Sequence, residues 1–202
     1  MSTAVARKAD SPTQFVDPRL MPAMPVLDEL KRNVGGLHRS VNGLIGLQHL
    51  FGSTATLLES LRGPGIDPGN VFVLGKPYSA NPRVVRFMHE GLGYWTHPDT
   101  LVQPNGQPND ELMDQRIRHL LDRVQIGWRS RRGPGDRRYL LIDDGGRAIR
   151  LLHTRRYDDI RPHFTCVEQT RCGIRTLAEV NLEVPVVNVA ESWVKLEHES
   201  PL

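Results

Sequence analysis

Cysteine is scarce: Cys166 and Cys172 are the only two in 202 residues. They cannot build a disulfide framework, and no CxxC spacing exists to hold a structural zinc. Long apolar runs are missing as well. Nothing approaches the roughly 20 residues that a membrane-spanning helix needs, and the N-terminus has no apolar signal-peptide core. A reduced, cytoplasmic protein with no membrane partner is therefore expected. An excess of one charge is nearly absent: 26 basic and 23 acidic side chains leave a net charge of +3. That margin does not point to a nucleic-acid partner. Aromatics amount to 6%, and none interleaves with the five arginines between Arg129 and Arg138. That stretch reads as a solvated loop, with a phosphate-binding loop as the alternative. A dinucleotide fingerprint is also lacking. Gly63-Pro-Gly65-Ile-Asp-Pro68 begins like one, but it follows a helical segment and has Pro68 where the third glycine belongs.

What is present is enough apolar sequence, 39%, for a core. Residues 1–24 mix small, polar and charged residues with Pro18 and Pro22 and are expected to form a flexible arm. Residues 25–42 form a short lead-in, with a helix over Leu27–Val34 stopped by Gly35-Gly36. The domain proper is expected over 43–202. Short apolar runs at 44–47, 71–74, 139–142, 164–167 and 184–189 read as strands, with a brief one at 93–95. Helical patterns lie between them. Ser53 or Thr54 is placed to cap a helix running to Leu61, and Pro82 to open another carrying Val84, Val85 and Met88. Asn109 or Asp110 would start a long helix with Leu112, Ile117, Leu120, Leu121 and Val124 on one stripe. Arg147–Leu152 and Arg171–Glu179 complete the set. This alternation predicts an α/β class, a Rossmann-like three-layer domain with a mainly parallel central sheet.

The stretch Leu141-Ile142-Asp143-Asp144-Gly145-Gly146 organises the chain. A buried strand ends in two carboxylates and a pair of glycines, where ligands bind in open α/β sheets. Two acids there suit hydroxyl binding or proton transfer; they would equally suit capping of the next helix. His49, Lys76, Ser79, Gln169, Thr170 and Lys195 follow other expected strands, so the topology puts them on one edge. Cys172 reads as a small buried side chain, and Trp128 and Trp193 as packing residues.

Four segments in order resemble the substrate-binding domain of S-adenosyl-L-homocysteine hydrolase (adenosylhomocysteinase). They are Gln48-His49-Leu-Phe-Gly-Ser53-Thr54, Leu141-Ile-Asp143-Asp144-Gly-Gly, Val167-Glu168-Gln169-Thr170-Arg-Cys-Gly-Ile, and Val184-Pro-Val-Val-Asn-Val. The resemblance implies the substrate half of an NAD-dependent thioether hydrolase acting on S-adenosylhomocysteine. In such enzymes the cofactor oxidises the ribose 3′-hydroxyl, homocysteine leaves, water adds, and the ketone is reduced again. His49 would assist proton traffic near the leaving group, Asp144 would face the sugar, and Lys195 would sit beside the 3′-hydroxyl with Glu199 as its acidic partner. Ser53, Thr54, Ser79, Gln169 and Thr170 would line the substrate side, and Ser200 the cofactor side.

Departures from the family are concentrated in the same segments. Gln169 is neutral where the family has a glutamate, Lys76-Pro77 replace a Cys-Asn pair, and Ser200 replaces an asparagine. With no NAD-binding segment in the sequence, the expected state is a chain inactive alone, completed by an NAD-bearing chain or within a homo-oligomer. A repurposed, non-catalytic nucleoside or sugar binder is the alternative.

Overall fold

The structure, a computed structural model, describes residues 17–34, 41–103, 109–130, 137–193, 195 and 197. Six strands make one sheet: β1 (Gly43–Leu50), β2 (Val71–Ala80), β3 (Trp95–Thr96), β4 (Tyr139–Asp143), β5 (Phe164–Glu168) and β6 (Val186–Asn188). Their order is β3-β2-β1-β4-β5-β6, and every neighbouring pair is parallel. The helices are α1 (Pro25–Val34), α2 (Gly52–Arg62), α3 (Pro82–Arg86), α4 (Asn109–Ser130), α5 (Arg147–Leu152) and α6 (Arg171–Leu177). Among the described residues no helix is long and apolar enough to cross a membrane.

The strands are apolar on both faces because helices cover both. Leu44, Val71, Val73, Leu140 and Ile142 pack with Ala55 and Leu58 of α2 and Val84 and Val85 of α3. Their alternates Ile45, Phe72, Leu74, Tyr139, Leu141, Phe164 and Cys166 pack with Ile117, Leu120, Leu121 and Val124 of α4 and Ile149 and Leu152 of α5. The strand order reverses at β1: β2 and β3 lie on one side and β4 to β6 on the other. The crevice outside the carboxyl ends of β1 and β4 is the point where such sheets take a ligand.

Several elements differ from the sequence reading. β2 does not stop at Leu74 but runs to Ala80, and the register jumps from Gln48↔Gly75 to Leu50↔Ala80. Residues 76–79 thus bulge opposite His49, because Pro77 has no N–H to give the ladder. β3 begins at Trp95, since Gly93 turns the chain with φ 72. β6 is confined to 186–188 and α6 ends at Leu177. Neither Ser53 nor Thr54 caps α2: Phe51 holds that position without a side-chain bond, and the Thr54 hydroxyl donates instead to the His49 carbonyl at 2.5 Å. The last residues of the expected arm pack on α2, where the Thr56 hydroxyl donates to Pro22 O at 2.7 Å; residues 1–16 lie outside the described residues. Cys172 is exposed rather than buried. Trp193 is 68% exposed, whereas Trp128 packs on the core as expected.

A histidine pair ties α4 to the segment after β3. His97 is buried; its Nδ1 accepts the Asp99 N–H at 3.1 Å, and its Nε2 lies 3.0 Å from His119 Nδ1. Since Nδ1 is an acceptor, the His97 proton must sit on Nε2, and His119 must accept with a bare Nδ1. The contact therefore exists only with both rings neutral. Burial, then the neighbouring His119, pushes His97 down to about 4. This lowered value contributes stability above the ordinary histidine pKa of about 6.5, lost as pH falls from there through about 4. A His97→Gln variant can make both hydrogen bonds without titrating. Urea midpoints at neutral pH and near pH 4.5 should show the wild type losing more stability on acidification than this variant; parallel losses would refute the tautomer assignment.

Candidate functional site

Asp144, the first residue beyond β4, is the hub. Its Oδ2 lies 3.3 Å from His49 Nε2, and its Oδ1 accepts from Lys76 Nζ. His49 comes from the end of β1 and Lys76 from the β2 bulge, so this contact spans the strand-order reversal. Lys76 and Asp144 are mostly shielded, at 16% and 15% side-chain exposure, while His49 is 38% exposed. The His49 ring meets Tyr78 edge-on with centroids 6.0 Å apart. With Nε2 turned to the carboxylate, His49 keeps Nδ1 for another partner, an arrangement suited to orienting an imidazole.

A cleft of about 760 Å³ opens beside the hub, lined by Leu47, Lys76, Tyr78, Met113, Asp144, Gly145, Arg147, Arg150 and Arg175 among others. Its far wall is braced between α4 and α5. Arg147 pairs with Asp110 at 2.8 Å and Asp114 at 2.8 Å, and Arg150 with the second oxygen of Asp114 at 2.9 Å. A smaller cavity of about 270 Å³ lies at the opposite, amino end of the sheet, between Phe72, Trp95, Tyr139 and the end of α4. None of the hub groups reaches it.

Two buried carboxyl groups support the turns from below. Glu168 Oε1 accepts from Gly145 N at 3.1 Å, Thr170 N at 2.8 Å and the Thr170 hydroxyl at 2.7 Å. Thr170 Oγ in turn accepts from Gly173 N at 2.9 Å. Asp143 Oδ2 accepts from Ile149 N at 3.0 Å. Burial, reinforced by the nearby Glu168 and opposed by the Ile149 amide, pushes the Asp143 carboxyl up to about 7. Close approach dictates glycine here. Gly146 has φ 71, and a Cβ on it would lie 2.7 Å from the Gly173 carbonyl oxygen.

The residues singled out from the sequence divide accordingly. His49 and Asp144 meet directly. Lys195 reaches the same edge, where its Nζ donates to the Gln169 carbonyl at 2.6 Å. Thr170 lies there too, but its hydroxyl is engaged by Glu168 and Gly173. Ser79 sits in the β2 bulge. Ser53 is exposed in the first turn of α2 and Thr54 is buried. Glu199 and Ser200 lie outside the described residues. Glu168 and Lys76 acquire roles the sequence reading had not given them. Lys76 carried the signal of following a strand; Glu168 stood in a motif whose neighbouring polar residues drew attention instead.

The residues described do not fit a resident NAD. A dinucleotide fold places the pyrophosphate on a glycine-rich turn at the first helix after β1. Here that turn is Gln48-His49-Leu50-Phe51. At Gly52, where α2 starts, the backbone is covered: an added Cβ would lie 2.8 Å from Arg19 O and 2.9 Å from Pro22 Cδ.

No family model matches the chain. It is similar to two proteins from separate strains of Mycobacterium tuberculosis, described as uncharacterized protein MT0113 and uncharacterized protein Rv0104. Each is 32% identical over 181 residues, which is 88% of this chain and 34% of the relative. The chain thus spans about a third of the length of the curated relatives it matches.

Proposed function

We propose that the chain is an adenosylhomocysteinase-like substrate half: it binds a nucleoside or sugar at His49, Asp144 and Lys195, and it does not hydrolyse S-adenosylhomocysteine by itself. The observation that carries this reading is the Asp144 hub, with its histidine and lysine, set where the strand order reverses beside an open cleft. A carboxylate held between two donors keeps lone pairs for ligand hydroxyls. Lys195, anchored on the Gln169 carbonyl, adds a cationic donor on the same edge. Lys76 and His49 hold one oxygen each of the Asp144 carboxylate, a fixed arrangement that suits orienting a bound hydroxyl. That arrangement also supports the second reading, a nucleoside or sugar binder with no catalytic partner. Turnover would need a hydride acceptor placed against the ribose, a positioning effect worth roughly 7–11 kcal/mol in favourable cases. An NAD-bearing domain or partner chain would have to bring it.

Calorimetric titration with adenosine and S-adenosylhomocysteine should show binding that Asp144→Ala abolishes. Adding NAD and S-adenosylhomocysteine to the purified chain should release no homocysteine thiol. Sustained thiol release above a Lys195→Ala control would overturn the proposal of inactivity, and unchanged binding by Asp144→Ala would overturn the site.

A further inference from the structure

Asp143 and Glu168 are register partners at the ends of β4 and β5. Along β4 Tyr139 and Leu141, and along β5 Phe164 and Cys166, point to the face that carries α4 and α5. Strand alternation aims residues 143 and 168 to that same face. Both are fully buried. Each leaves one oxygen, Asp143 Oδ1 and Glu168 Oε2, with no hydrogen-bond partner among the described residues. The groups facing Asp143 are Glu168 and Cys166 from β5, Asp144 from its own turn, and the Ile149 and Ala148 amides of α5. None of them is a cation. Two uncompensated charges in so dry a place would repel each other strongly.

We propose that this pair carries one proton, held by Asp143, and that Asp143 and Glu168 act as positioning residues that set the turn presenting Asp144 and Gly145 to the cleft. The distribution of donors decides which acid is neutral. Glu168 Oε1 collects three N–H and O–H groups, whereas Asp143 accepts from one amide with Oδ2. When Asp143 ionises, its charge appears between Glu168 and Asp144. Glu168 is pushed from the Gly145 and Thr170 donors, and the turn loosens. The loss of the proton thus links pH to the geometry of the site. Only the ligand readout rests on the function proposed above.

Carbon-13 NMR of the full chain, labelled at Asp and Glu carboxyl groups and titrated from pH 5 to 9, tests the pair directly. One carboxyl resonance should titrate near neutrality and be absent in Asp143→Asn. The Gly145 and Gly173 amide resonances should move with the same midpoint in the wild type and stay still in that variant. Glu168→Gln keeps an acceptor oxygen but removes the facing charge, so the Asp143 midpoint should fall. Adenosine affinity should weaken above the midpoint, by at most about tenfold per pH unit for one proton, and Asp143→Asn should bind equally across the range. Carboxyl groups that all titrate in the ordinary range, or amides blind to the titration, would overturn the proposal. A chain that never binds adenosine would remove the functional reading while the carboxyl and amide titrations still decide the pair.

Discussion

Gly173→Ala is expected to cost about 3–5 kcal/mol, the range for stranding one member of a buried charged network. A Cβ at this position would lie 2.1 Å from Glu168 Oε1 and 2.7 Å from Oε2, far inside contact distance. The carboxylate has nowhere to retreat, since it is fully buried. Displacing it breaks its bonds to Gly145 and Thr170 and leaves the acid without donors. The better helix propensity of alanine returns only about 1 kcal/mol. Gly127→Ala is the matched control: it also lies in a helix, but an added Cβ meets nothing within 4 Å. That variant should be neutral or gain up to about 1 kcal/mol. Urea unfolding of the two side by side measures the difference. A Gly173→Ala protein as stable as wild type would mean that Glu168 does not hold the turn.

Stability should fall as pH rises through the range in which Asp143 loses its proton. Its folded pKa is raised to about 7, and burial is the leading cause. The folded protein therefore holds this proton more tightly than the unfolded chain does. The resulting stabilisation is complete below the unfolded value near 4, declines from there to about 7, and is absent above. At about 1.4 kcal/mol per pH unit, the whole span is on the order of 4 kcal/mol. His97 acts in the opposite direction over part of the same interval, so the wild-type curve alone mixes the two. Subtracting the curve of Asp143→Asn isolates the carboxyl: the wild type should lose ground steadily against the variant between pH 4 and 7. A difference constant with pH would show that Asp143 is ionised in the folded state at ordinary acidity.

The parallel α/β architecture was legible because each strand is a short apolar run bounded by breakers, and each helix carries its own period. Leu141 and Ile142 read as buried whichever way the chain turns, and Ile117, Leu120, Leu121 and Val124 form a stripe at any tertiary arrangement. The edge that collects His49, Asp144, Thr170 and Lys195 follows from the same alternation, since parallel strands end on one side. Cap and strand boundaries were less legible. Thr54 resembles a cap locally, but its hydroxyl finds the His49 carbonyl five residues back, which the turn from β1 into α2 brings within reach. The apolar run that reads as a strand stops at Leu74, before Gly75-Lys76-Pro77, yet the chain resumes pairing at Ala80.

The sequence by itself determined which segments are strands or helices and which faces are apolar, because both depend on local period and composition. Only the tertiary structure decided what those residues touch. Strand order placed β1 between β2 and β4, and with the β2 bulge it brought Lys76 and His49 onto the Asp144 carboxylate. Register placed Asp143 opposite Glu168, and burial set the protonation that their identities leave open. These are long-range relations: a side chain's charge state depends on neighbours that folding supplies and that no stretch of sequence contains.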